Sequence, residues 1–133
     1  MRRRAFTLAG LAALPMLSAC AGSDPAAGEP VRVVFFEDDS IALGDPARAV
    51  VRDAAEAARR FPNAPVRVLG FSAPDPTHAP TVSLSRARAE RVVAELVAAG
   101  VPQARIVQRG RGPVAFDALP VQSRRVEIHI GGN

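Results

Sequence analysis

The chain has 133 residues, a length that suits one domain, and its 17 basic residues are all arginine. Three of them lie at positions 2–4, so the rest of the chain has 14 arginines against 13 acids, a net charge near +1. Nucleic-acid binding needs a dense cationic surface, and this balance argues against it. The single cysteine, Cys20, excludes an intramolecular disulfide.

Residues 1–19 are predicted to be a signal peptide. A cationic start precedes an apolar run to Leu17 that is shorter than the roughly 20 residues a bilayer span requires. The run ends in Leu17-Ser18-Ala19-Cys20, which resembles a bacterial lipobox. That resemblance implies diacylglycerol on the Cys20 thiol, cleavage before Cys20 and an acyl chain such as palmitate on the new N-terminus. Several acyl chains anchor a protein stably, and Ala21 in the place of aspartate favours the outer membrane.

Residues 20–30 are predicted to be a lipid-anchored flexible linker, because they are mostly small, include two prolines and show no apolar period. Ten extended residues reach at most about 35 Å, so a domain over residues 31–133 would stay close to the membrane. Arg3-Arg4-Ala5-Phe6 also resembles part of a twin-arginine signal. The export route therefore stays open between the general secretory and twin-arginine pathways.

Residues 31–133 show the patterns of alternating strands and helices. β-Branched and alternating apolar runs predict strands over residues 31–36, 66–71, 105–108 and 124–130. Apolar residues at helical spacing predict one helix that begins at Gly44-Asp45-Pro46, capped by Asp45, and another over 83–99 that Gly100 ends. The order β-α-β-α-β-β predicts an α/β (α+β) two-layer sandwich with a mixed four-stranded sheet and two helices. The short connection between the last two strands permits their antiparallel pairing.

Three loops attract attention as possible sites. Glu37-Asp38-Asp39 is better interpreted as a solvated loop than as a metal site, because no histidine or further acid lies close in sequence. The loop from Ser72 to Thr81 contains three prolines and should be stiff, which suits binding because little ordering entropy is lost. Arg109 to Pro113 is predicted to be a glycine-rich turn, too short for a phosphate cradle.

Six short motifs stand in order along the second half of this chain. They are Gly70-Phe71-Ser72-Ala73, Leu84-Ser85-Arg86-Ala87-Arg88-Ala89 with Val92, Gly100-Val101, Arg105-Ile106, Gly110-Arg111-Gly112 and Ser123-Arg124-Arg125-Val126-Glu127-Ile128. In order and spacing they resemble the OmpA-like family of peptidoglycan-binding domains (the OmpA, Pal and MotB C-terminal domains). The match covers about residues 31 to 130, with a shortened loop before Ser123.

The resemblance implies a site for the diaminopimelate end of the peptidoglycan stem peptide, where an aspartate and an arginine of the family hold its ammonium and carboxylate. Arg88 matches the arginine and can fork onto a carboxylate, while Ser72 keeps the hydroxyl of the family threonine. Ala73 stands at the aspartate position, and one lost charge-assisted hydrogen bond costs about 1.5–3 kcal/mol. Asp75 would replace it if the prolines redirect the loop. Arg124 completes the implied site.

The resemblance therefore implies a lipid-anchored module of the outer membrane that faces the periplasm and tethers this membrane to peptidoglycan. The alternative is a degenerate module that has lost the site and acts in protein interaction or envelope structure; Ala73 favours it, and Arg88 and Ser72 favour peptidoglycan binding. Other envelope proteins are further candidate partners. No catalytic residue, metal or cofactor is predicted, because His78 and His129 lack triad or metal spacing.

Overall fold

The computed structural model describes residues 22–37, 39–73, 81–113 and 120–132. The elements are β1 (Arg32–Phe35), α1 (Asp45–Arg60), β2 (Val66–Ser72), α2 (Thr81–Ala98), β3 (Ile106–Pro113) and β4 (Arg125–Ile130), with 3-10 helices at Gln103–Arg105 and Pro120–Ser123. The predicted signal peptide over residues 1–19, Cys20, Asp75 and His78 lie outside the described residues. No helix in the described part of the chain has the length and apolar character needed to cross a membrane.

The four strands form one mixed sheet in the order β1-β4-β2-β3, which confirms the predicted fold class. β4 is antiparallel to both β1 and β2, and β2 is parallel to β3. The pairing of β3 with β4 that the short connection permits is not the one formed. β4 and β2 occupy the two central positions of the sheet, and β1 and β3 lie at its edges.

The two helices pack against one face of this sheet and enclose the core. α1 contributes four alanines that are fully buried, Ala54, Ala55, Ala57 and Ala58. Small side chains let the helix axis approach the sheet closely. α2 contributes larger apolar residues, among them Val92 and Leu96, which are also fully buried.

The first half of α2 lies in backbone contact with the sheet. A Cβ on Gly70 would lie 1.9 Å from the carbonyl oxygen of Ser85, and a Cβ on Gly110 would lie 3.0 Å from the amide nitrogen of Arg86. Gly70 and Gly110 are register partners on β2 and β3, so the two glycines together form a shallow seat for the helix. This seat fixes where α2 begins relative to the end of β2.

Two local predictions were wrong. Residues 109–113 are not a turn but the second half of β3, which stays paired with β2 and is held by a 3.0 Å hydrogen bond from the Gly112 amide to Ser85 Oγ. A register shift after Gly70 and a positive φ at Gly112 accommodate the glycines in this strand. Gly44, and not Asp45, is the N-cap of α1, and it makes no side-chain cap.

The predicted linker is a third difference. Residues 24–30 form a turn that packs on the domain, and Ala26 is only 2% exposed within the hydrophobic core. Composition predicted a free linker because one buried alanine leaves no apolar period. The contacts that hold the turn come from the far end of the chain, next to Gly131 and Gly132.

Candidate functional site

The candidate residues collect at one end of the sheet. We call this the site end: β1 and β2 finish there, at Phe35 and Ser72, and β4 begins there, at Arg125. α2 also begins at the site end, and its seat on the two glycines directs its second turn towards the end of β2. The opposite end, where β4 finishes at Ile130 and both helices finish, is called the base.

Arg88 is the centre of the site end and is completely buried. Its Nε donates to the Ser40 carbonyl oxygen at 3.1 Å, and its Nη2 donates to the Glu37 carbonyl oxygen at 3.2 Å. Nη1 lies 3.5 Å from the Phe71 carbonyl oxygen. The guanidinium carbon also lies 5.3 Å from the centre of the Phe36 ring. Arg88 thus joins the loop that follows β1 to the end of β2.

These contacts help to compensate the buried charge of Arg88. Carbonyl dipoles and the negative face of an aromatic ring both favour a cation, and a buried charge needs such compensation. The position of Arg88 follows from the sequence, because it lies three residues after Ser85, on the helix face that rests on Gly70. The guanidinium is therefore held in place before any ligand arrives, and a carboxylate would join or displace its carbonyl partners.

Ser72 and Ala73 continue the site end from β2. Ser72 is the last residue of the strand and is 1% exposed, while Ala73 is half-buried. Both follow directly on Phe71, whose carbonyl oxygen faces Arg88. The serine and the arginine implied by the resemblance are therefore neighbours in space. Asp75, the predicted substitute for the missing aspartate, falls outside the described residues.

Arg124 reaches the site end from the other side. Its backbone carbonyl oxygen accepts a 2.9 Å hydrogen bond from the amide of Phe36, the residue whose ring lies beside Arg88. The side chain of Arg124 is half-buried, and Ser123 before it is completely buried. The structure thus brings Ser72, Arg88 and Arg124 to one place.

Arg125 is a neighbour that the sequence analysis did not select. Its guanidinium carbon lies 4.4 Å from the centre of the Phe71 ring, and its Nη1 donates to the Gln122 carbonyl oxygen at 2.6 Å. Arg125 alternates with the buried Val126, Ile128 and Ile130 along β4, so it lies on the face of the sheet away from the helices. Its proximity to Phe71 comes from the pairing of β2 with β4, which the sequence pattern did not reveal.

Glu127 carries a carboxylate on the same face of the sheet as Arg125. It accepts from Arg125 Nε at 2.8 Å and lies 3.2 Å from His129 Nε2. Burial alone would raise the pKa of Glu127, but the hydrogen bonds from Arg125 and His129 outweigh it and lower the pKa on balance. Glu127 therefore stays ionised and engaged with Arg125 and His129.

Comparisons with known proteins identify the family and the fold. The sequence profile of the OmpA family matches residues 35–124, which is most of the chain. No curated protein sequence matches the chain significantly.

Several solved structures share the fold. The peptidoglycan-associated lipoprotein from Burkholderia pseudomallei matches with a TM-score of 0.67 and 24% identity, over 74% of this chain and 89% of that one. The OmpA-like domain of FopA1 from Francisella tularensis matches with a TM-score of 0.67 and 17% identity, over 75% and 73%. The C-terminal domain of Helicobacter pylori MotB matches with a TM-score of 0.66 and 22% identity, over 75% and 84%. At these identities the likeness concerns the fold, and together with the profile it shows that the chain belongs to the OmpA family.

Proposed function

We propose that this domain binds peptidoglycan non-covalently at the site end and recognises the diaminopimelate end of its stem peptide. The observation that carries the proposal is the position of Arg88, a buried guanidinium held between the ends of β1 and β2, with Ser72 and Arg124 beside it. A relative of the same fold, from Burkholderia pseudomallei, is by name a peptidoglycan-associated lipoprotein.

The chemistry of the site end suits the carboxylate of the ligand better than its ammonium. An arginine offers planar paired donors to a carboxylate, and Arg124 and Arg125 add positive potential nearby. The ammonium would meet Ala73 where the family has an aspartate, so we expect an affinity about tenfold to a hundredfold below that of a site with this carboxylate. Asp75 is the proposed substitute, and its contribution would reduce this difference.

We also propose that Cys20 carries the lipid that anchors the chain in the outer membrane, with the domain in the periplasm. The support is the lipobox-like Leu17-Ser18-Ala19-Cys20 that follows a cationic and apolar leader. Bound at both ends, the protein would tether the outer membrane to the cell wall. This role needs binding alone, and we propose no catalysis.

Co-sedimentation of unlipidated protein, residues 22–133, with purified sacculi tests the binding proposal. Sacculi that contain diaminopimelate should retain the protein saturably. Sacculi that contain lysine at that position should not, because lysine lacks the second carboxylate that Arg88 would receive. Asp75→Ala and Asp75→Asn then report whether this residue supplies the missing charge. Equal retention on both wall types would show that the carboxylate is not what the domain recognises.

The second candidate function is a protein-interaction or structural module of the envelope that no longer binds the wall. Ala73 favours it directly. Two exposed apolar residues at the edge of the sheet also favour it: Val31, just before β1, is 46% exposed, and Phe35, at the end of β1, is 52% exposed. If neither the parent protein nor an Ala73→Asp variant is retained by sacculi, this second function replaces the first.

A further inference from the structure

The turn formed by residues 24–30, which we call the strap, is built into the base of the domain. The Asp24 carboxylate accepts a 2.9 Å hydrogen bond from the Ala26 amide and another from the Gly132 amide. Backbone bonds from Ala27 to Asp24 and from Glu29 to Ala26 close the turn. Its centre, Ala26, is 2% exposed and belongs to the core.

The strap packs against the glycine pair that follows β4, Gly131 and Gly132. A Cβ on Gly131 would lie 2.5 Å from the Ala26 Cβ and 2.8 Å from Asp24 Oδ2, so only glycine leaves room for the strap there. Gly131 also has a φ of +65°, a conformation that other residues adopt only under strain. The amide of Gly131 donates to the Pro65 carbonyl oxygen at 2.8 Å, which holds the glycine pair next to the start of β2.

Ion pairs hold the other end of the strap. Glu29 lies 3.0 Å from an Arg32 nitrogen and 3.3 Å from an Arg60 nitrogen, and it is only 14% exposed. Arg32 is itself 9% exposed, bonds the Pro30 carbonyl oxygen and pairs with Asp53. The strap is thus secured at both ends and in its middle, in the manner of a folded element.

The strap shortens the connection between Cys20 and the domain. Only residues 21–23 separate Cys20 from Asp24, and these four steps extend to about 14 Å at most. A linker that ran free to residue 31 would extend to about 38 Å. Because the strap is attached at the base, a lipid on Cys20 would hold the base, and not the site end, next to the bilayer.

The base presents arginines on the side where that bilayer would lie. Arg59 is exposed and Arg60 is 58% exposed, both in the last turn of α1. Arg67, at the start of β2, bonds the Gly131 carbonyl oxygen, and Arg105 bonds the Ala64 carbonyl oxygen. All four cations lie at the base, where Arg60 also pairs with Glu29 of the strap. Anionic headgroups attract such clusters within about a Debye length of the surface.

We propose that the strap and the base arginines form a membrane-facing surface for anionic lipid headgroups, which holds the site end away from the bilayer and towards the wall. The inference rests on the proposed lipid at Cys20. It adds an orientation that a long free linker would not impose. Peptidoglycan binding at the site end does not depend on it.

The test uses the full lipidated protein in phosphatidylcholine vesicles that contain phosphatidylglycerol and a headgroup nitroxide quencher. Cys20 is the single cysteine and its sulfur would be in the thioether, so one introduced cysteine gives one labelling site. Asn63→Cys places a fluorophore at the base, and Val82→Cys, 46% exposed in the first turn of α2, places it near the site end. The label at position 63 should be quenched several-fold more than the label at position 82.

An Asp24→Ala background removes the carboxylate that holds the strap, and it should bring the two quenching values together. Asp45→Ala is the matched control, because Asp45 is a 99% exposed acid far from the strap, and it should leave the difference intact. Raised salt should weaken the quenching at position 63, because it screens the attraction between the base arginines and the headgroups. Equal quenching of both labels in protein that co-floats with the vesicles overturns the inference alone. Protein that fails to co-float overturns the lipid anchor and the inference together, whereas sacculus binding of the unlipidated chain is judged separately.

Discussion

Replacement of Arg88 by alanine should strongly destabilise the domain as well as remove the proposed ligand contact. The contacts of the guanidinium include two well-formed bonds, to the Ser40 and Glu37 carbonyl oxygens, and a longer one to Phe71. Hydrogen bonds to a charged group contribute about 1.5–3 kcal/mol each, so the two well-formed ones together give about 3–6 kcal/mol. Water can reach the freed carbonyl groups, because Glu37 is exposed and Ser40 is half-buried, so the lower figure is the appropriate one.

A loss of about 3 kcal/mol is a large part of the 5–15 kcal/mol typical of a domain. It corresponds to a fall in Tm of about 12 °C or more for a domain of this size. Thermal and urea unfolding of Arg88→Ala measure it, with Arg86→Ala, an exposed arginine two residues earlier on α2, as the control. A Tm within about 2 °C of the parent would refute the conclusion that Arg88 stabilises the domain by joining the loop after β1 to the end of β2. Loss of sacculus binding in Arg88→Ala is therefore informative only at temperatures where the variant is folded.

Three further predictions concern other parts of the molecule. Gly70→Ala places a Cβ 1.9 Å from the Ser85 carbonyl oxygen and should lower the unfolding free energy by about 3 kcal/mol or more, whereas Gly22→Ala, with open space around it, should not; urea unfolding decides. Ala73→Asp should raise affinity for diaminopimelate sacculi about tenfold to a hundredfold, and Ala73→Asn should not, as co-sedimentation titrations would show. Hydrogen bonds from the Gly132 and Ala26 amides lower the pKa of Asp24 in the folded protein. The ionised carboxylate therefore stabilises the strap fully above the unfolded pKa of about 3.9. This stabilisation is lost as the pH falls through the lower pKa of the folded state. The Tm difference between the parent and Asp24→Asn should be constant above about pH 5 and shrink below about pH 3.9; a constant difference down to pH 2 would contradict it.

Local patterns predicted the elements of the fold better than their arrangement. Apolar periodicity located both helices and the strands β1, β2 and β4 within about two residues, because burial on one face leaves its period in the sequence. For β3 it found only the first residues of the strand. β4 pairs with a neighbouring strand along both of its edges. Which strand does so depends on the whole sheet and not on the pattern of one segment. Gly110 and Gly112 suggested a turn, but pairing with β2 and the Ser85 hydroxyl keep them in a strand.

For the candidate site too, the residues could be predicted from the sequence but their contacts could not. Motif spacing selected Ser72, Arg88 and Arg124, and the structure brings all three to one end of the sheet. That Arg88 is buried among carbonyl groups was not predictable, because its partners lie 48 and 51 residues away in the chain. The strap was missed for a similar reason, since Asp24 and Gly132 are 108 residues apart.

The most direct test of the central claim is an NMR titration of the ¹⁵N-labelled unlipidated domain with a stem peptide that ends in diaminopimelate. We expect the Arg88 Nε–H signal and the Ser72 amide to shift saturably, since the carboxylate would join the partners of that guanidinium. The same peptide with lysine should leave both signals in place. Identical shifts with the two peptides, or shifts confined to the base around Arg105, would contradict the account.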